Sequence, residues 1–179
     1  MDALRPRVDL LAFGLSLALV ASPAVAFVYE RNGAAAIMCT MCLGGLVAGR
    51  IAGAPGRVLL PVAFGLTVML CLLWIDSPIG PRQTGAAAHA VGGTLAGWAF
   101  VEVLRDRMRD PLLVAFVALS AVIVLTLVWE LGEYAGDWLL DTSLQPSKRD
   151  SAQDIFFGTF GGLVGITFGG IVALWRRGG

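Results

Sequence analysis

Six apolar stretches, each near the ~20 residues that a helix needs to cross a bilayer, leave this chain few folds to choose from. They run over residues 10–28, 34–47, 58–75, 85–103, 112–129 and 155–175, the second reaching Ile51 if the Arg50 side chain snorkels to the interface. Backbone amides in hydrocarbon must find partners within their own segment, and the alternating strands of roughly ten residues that build a barrel are missing, so the stretches are expected to be helices. A soluble surface is also out of reach, because 57% of the residues are hydrophobic and only 15% charged. The expected architecture is an all-α, polytopic membrane helical bundle with about six transmembrane helices. It forms a single domain over residues 1–179, with short loops and no soluble module.

Composition narrows the partners. Thirteen basic and thirteen acidic residues cancel, so no nucleic-acid partner is expected, whereas membrane lipid is. Cys39, Cys42 and Cys71 lie inside apolar segments, which is the ordinary place for a small buried thiol and not the pattern of a secreted disulfide framework. Cys39-Thr-Met-Cys42 is a lone CxxC; a redox or soft-metal site is the less favoured alternative there. Arg5, Arg7, the apolar run after them and Ala24-Val25-Ala26 also fit a cleaved secretory signal, although the run continues apolar through Val28.

Orientation follows from the basic residues. With the amino terminus inside, nine of the thirteen fall on the cytoplasmic side, and only Arg31, Arg82, Lys148 and Arg149 fall outside, so both termini are expected in the cytoplasm. Trp74, Trp129 and Trp138 then sit near the outer interface and Trp175 near the inner one, while Trp98 packs between helices. The Arg105–Asp110 charge cluster reads as a cytoplasmic loop that fixes topology and touches anionic lipid.

The chemistry is concentrated in residues 129–165. Six of the thirteen acids lie there: Glu130, Glu133, Asp137, Asp141, Asp150 and Asp154. An acid beside an apolar span costs free energy unless it is paired, wet or used. If the fifth helix continues past Trp129, then Glu130, Glu133, Tyr134, Asp137 and Asp141 fall within an arc of roughly 100°, one polar stripe. Rising about 1.5 Å per residue from Leu112, the helix brings Glu130 to the outer edge of the hydrocarbon. His89, the only histidine, enters the fourth helix from the same side at a similar depth. Its face carries Gly92, Gly93 and Ala96, small enough for a neighbouring helix to come close. In the sixth helix Asp154, Gly158, Gly161 and Gly165 share a face, so Asp154 should point into the bundle. A capping box, Asp150 with Gln153 or Ser151 with Asp154, would use one of the two aspartates structurally.

These positions suggest a catalytic or metal-ligating group made of His89, Glu130, Glu133 and Asp154, an O/N donor set suited to a divalent metal ion such as Mg²⁺, Mn²⁺, Fe²⁺ or Zn²⁺. Lys148, Arg149, Asp137 and Gln145 are candidates to hold a ligand head group. A P-loop, HExxH, GxSxG and a second histidine for haem are all absent, and the single lysine lies in a loop.

Trp129-Glu-Leu-Gly-Glu133, then Leu144-Gln145, then Asp150-x-x-x-Asp154-x-x-x-Gly158-x-x-Gly161-Gly162 resembles the small inner-membrane proteins called YjdF-like, and more distantly the VanZ-like family. His89 with Gly92 and Gly93 resembles the former's His-plus-glycine segment. The likeness covers roughly residues 83 to 165. Ser151-Ala152 departs from the residues expected after that aspartate. The resemblance implies a multi-pass protein of a prokaryotic inner (plasma) membrane, and the VanZ-like members imply envelope or glycopeptide-related roles.

The leading expectation is therefore an outward-facing His/carboxylate site that binds a cation or a phosphate-bearing lipid or envelope ligand, with metal-assisted hydrolysis or transfer as its enzymatic form. A small proton- or ion-coupled transporter would use the same acids, with Thr40, Thr67 and Thr94 as polar groups further in. A non-catalytic interaction protein would use the glycine faces for a partner or a homo-oligomer.

Overall fold

The structure is a computed structural model that describes residues 5–29, 33–74, 81–142, 144–145 and 147–178, with side chains at helix ends 5–7, 23–29, 33–35, 72–74, 81–84 and 176–178 left out. The proposed cleavage segment Ala24-Val25-Ala26, Trp74, and Arg5, Arg7, Arg31, Arg82, Arg176 and Arg177 thus have side chains outside the described residues. Six helices follow in order, and no strand occurs among the described residues. They are α1 (Arg5–Tyr29), α2 (Gly33–Ile51), α3 (Gly56–Trp74), α4 (Pro81–Leu104), α5 (Pro111–Leu140) and α6 (Lys148–Gly178). By length and composition, three contain spans long and apolar enough to cross a membrane: Gly85–Leu104, Pro111–Leu140 and Lys148–Trp175. The described apolar parts of α1, α2 and α3 are shorter: Val8–Ser22, Ala36–Ile51 and Gly56–Cys71.

The chain divides into two compact units. The first comprises Met1–Asp76 and Leu131–Pro146; the second comprises Ser77–Glu130 and Ser147–Gly179.

In the first unit α1 packs on α3 and on α2, and α2 packs on α3. α2 does reach Ile51, and in its last turn Arg50 Nη1 donates to Asp9 Oδ2 at 2.7 Å while the guanidinium lies 5.9 Å from the centre of the Phe13 ring. The other Asp9 oxygen accepts the backbone N–H of Gly56, the first residue of α3. One carboxylate from α1 thereby neutralises the end of α2 and caps the start of α3, satisfying an orphan donor that lipid would leave unpaired. Gly56 has to be glycine, since a Cβ there would lie 2.7 Å from that of Ala12. Between these helices Gly53 takes a left-handed φ of 85°, and Ala54 N–H returns to Gly49 O, a Schellman-type stop.

α5 runs on past Trp129 to Leu140, but the stripe expected along it is not uniform. Glu130 and Glu133 are buried, Tyr134 is exposed, and Asp141 has left the helix with a φ of 51°. Asp137 is committed to the chain that follows. Its carboxylate accepts the Thr142 hydroxyl at 2.6 Å and the backbone N–H groups of Leu144 and Gln145 at 2.7 and 2.8 Å. In the same unit Gly132 meets Met41 and Gly136 meets Ile37, both from α2.

In the second unit α4 and α6 run parallel, in contact backbone to backbone. Gly161 faces the carbonyl of Ala90, Gly93 that of Gly158, Gly97 that of Gly162, and Gly165 that of Thr94. The first part of α5 lies antiparallel to α6, with Thr126 on Gly158 and Val122 on Gly162. Gly92, expected on the packing face, has open space at its Cβ position, as does Gly45 in α2. Trp98 packs as expected, beside Gly165 and Gly169. At the far end Val101, Val114, Ala118 and Ile166 form an apolar core, and Glu102 is neutralised by Arg105 at 2.7 Å. Asp110 caps α5 through Leu112 N–H at 2.9 Å, with Pro111 at the first helical position.

Two outcomes test this packing by thermal unfolding in detergent. Asp9→Ala removes two charge-assisted hydrogen bonds and should lower stability by about 2–4 kcal/mol. Gly161→Ala drives a methyl into a backbone carbonyl and should cost about 3 kcal/mol or more, whereas Gly92→Ala should be neutral or stabilising by up to ~1 kcal/mol.

Candidate functional site

Three helices of the second unit each contribute one side chain to a single point. His89 comes from the third turn of α4, Asp154 from the second turn of α6, and Glu130 from α5. The parallel seam between α4 and α6 puts the first two side by side, and the antiparallel α5 returns Glu130 to the same level. The local cause is the small residue one turn further on: Gly93 follows His89 and Gly158 follows Asp154, so the helix axes come together there.

His89 Nε2 lies 3.7 Å from Asp154 Oδ2 and 3.8 Å from Glu130 Oε1. One ligand atom from each residue falls within 4.8 Å of the others. The side chains are 11%, 11% and 8% exposed for His89, Asp154 and Glu130. The imidazole distances exceed a hydrogen bond. They do suit two ligands of one ion, because metal–ligand bonds of about 2.0–2.2 Å set ligand pairs roughly 3 to 4.4 Å apart. One neutral imidazole nitrogen with two carboxylate oxygens is a borderline-to-hard donor set, fit for Zn²⁺, Mn²⁺ or Fe²⁺, and three protein ligands leave positions for water or a ligand oxygen. The Trp129 ring meets the imidazole edge-on, with centroids 6.3 Å apart, and so restricts its rotation.

The other expected site residues are placed differently. Glu133 is buried in the first unit and is not part of this three-residue group. Asp137 and Gln145 also belong to the first unit, where they bond to each other. Lys148 and Arg149, in the second, are exposed on the first turn of α6. The cap of that helix is Ser147, whose Oγ accepts Asp150 N–H at 3.2 Å, in place of either expected capping box. Neither Asp150 nor Asp154 is therefore the capping residue. Sequence reasoning missed Ser147 because the helix was expected to open at Asp150, and it passed over Glu102 because a single acid is hidden in an apolar average. The Arg105 three residues later is the signal that marks its partner.

A family model described as "Predicted membrane protein (DUF2238)" matches residues 85–174, just over half of the 179-residue chain. Comparison with curated proteins and with solved structures yields no match. The matched stretch begins just before His89 and contains Glu130, Asp154 and the glycine seam that joins α4 to α6. The chain belongs to the DUF2238 family of predicted membrane proteins.

Proposed function

We propose that this is a multi-pass membrane protein whose His89, Glu130 and Asp154 bind a divalent cation near the outer surface, and that the ion's open positions receive an oxygen of a phosphate-bearing lipid or envelope ligand. The observation that carries the reading is the convergence of one imidazole nitrogen and two carboxylate oxygens from three helices within 4.8 Å. Two acids beside one imidazole in a mostly buried setting carry negative charge that is costly there, and a cation would balance it. The distribution of basic residues supports the outward orientation. The YjdF-like resemblance spans much the same stretch as the family match and supports an inner-membrane location. In the enzymatic form, His89, Glu130 and Asp154 would hold an ion whose Lewis acidity would serve a phosphoryl or carbonyl oxygen. Lys148 and Arg149, exposed at the start of α6, then meet the ligand's negative charge.

The transporter reading draws less support. The hydroxyl protons of Thr40, Thr67 and Thr94 are each donated at 2.8 Å to a carbonyl four residues earlier in the same helix, which leaves only their oxygen lone pairs to face a path.

Calorimetric titration of the purified full chain with Zn²⁺ or Mn²⁺ should give one site per chain. His89→Ala, Glu130→Gln and Asp154→Asn should each weaken it about 100-fold or more, as expected when a ligand itself is lost, while circular dichroism stays helical. Wild-type affinity in these variants would overturn the reading.

A further inference from the structure

The cluster has two unlike ends. One turn deeper along each helix, toward its apolar middle, stand Gly93 after His89, Gly158 after Asp154, and Thr126 before Glu130. Gly93 rests on the carbonyl of Gly158, and a Cβ on Gly158 would lie 2.9 Å from both Oγ1 and Cγ2 of Thr126. Gly93 and Thr126 thus both close on Gly158, so α6 touches α4 and α5 directly in this layer. The next turn repeats the closure, Gly97 on the Gly162 carbonyl and Gly162 on Val122. Beyond it the interior is the apolar core of Val101, Val114, Ala118 and Ile166.

The opposite end is polar. Asp150 lies one helical turn before Asp154, hence on the same face of α6. It is half-buried and within electrostatic reach of Asp154, as Glu130 is. Ser147 Oγ, and not a carboxylate of α6, accepts the Asp150 N–H at the helix start. Lys148, on the same first turn, is exposed and carries the opposite charge.

Resting on the metal-binding reading of His89, Glu130 and Asp154, we propose that the cation enters only from the end of the unit at which α6 begins, handed on by Asp150 as a transient ligand, and that the site is blind-ended. Asp150 concentrates cations at the mouth and passes them one turn inward. The Gly93–Thr126–Gly158 layer stops them there, so the cluster holds its ion instead of conducting it.

Stopped-flow association of Mn²⁺ with the purified full chain, together with proteoliposomes containing an entrapped metal indicator, tests both halves. Asp150→Asn should slow association about 3- to 10-fold with the dissociation rate and stoichiometry unchanged, and the effect should fade at high salt. Lys148→Gln should change the rate in the opposite direction, a sign that a merely structural role for the helix start would not produce. Wild-type liposomes should show no indicator response above empty ones. Wild-type association rates in both variants, or complete loss of the site in a folded Asp150→Asn protein, would overturn the role of Asp150. An indicator response would overturn the blind end. Wild-type protein that binds no Mn²⁺ at all would instead remove the underlying metal reading, and the proposal with it.

Discussion

The direct contact of the α4 backbone with the α6 backbone is the constraint on which the rest of the second unit depends. Hydrophobic burial does little to hold helices together in lipid, where the surroundings are as apolar as the side chains, so close packing and polar contacts must do it. Gly93, Gly97, Gly161 and Gly165 remove the side chains that would keep the two axes apart, and carbonyls of one helix come to lie on α-carbons of the other. This closure sets the register of two parallel helices. His89 and Asp154 meet because each stands one turn ahead of a glycine in that seam. Glu130 joins them because Thr126 and Val122, on the antiparallel α5, seat on Gly158 and Gly162 of α6.

Charge in the apolar parts of the molecule falls into groups with different partners. Asp9 and Glu102 each face an arginine at 2.7 Å, and their charges are spent on holding helix ends. Asp137 is spent on the chain after α5, where three donors converge on one carboxylate. Glu130 and Asp154 face an imidazole, which in its neutral form offers a lone pair and no balancing charge. That difference in partner, more than burial itself, separates the candidate site from the structural acids.

The same glycines bear on the competing readings. Within the second unit, the layer beneath the cluster sets the α4 backbone against the α6 backbone, with Thr126 on Gly158 and valine, alanine and isoleucine beyond it. The glycine face of α6 at Gly158, Gly161 and Gly165 is filled by this chain's own α4 and α5, while Gly44, Gly45, Gly92 and Gly170 have open space at their Cβ positions.

What the sequence determined by itself was the identity and approximate position of the elements, because apolar run length and the need to satisfy every amide within a helix are local matters. The six stretches, the extension of α5 past Trp129 and the inward face of α6 at Asp154, Gly158, Gly161 and Gly165 were all legible in that way. Pairing was not. Nothing local tells that Arg50 finds Asp9 forty-one positions earlier, that Gly93 and Gly97 close the seam while Gly92 stays open, or that the polar stripe of α5 gives Glu130 to one unit and Glu133 to the other. Those choices are made where helix axes cross, since a residue's partner depends on the rotation and depth of two helices together, and periodicity along one chain specifies neither.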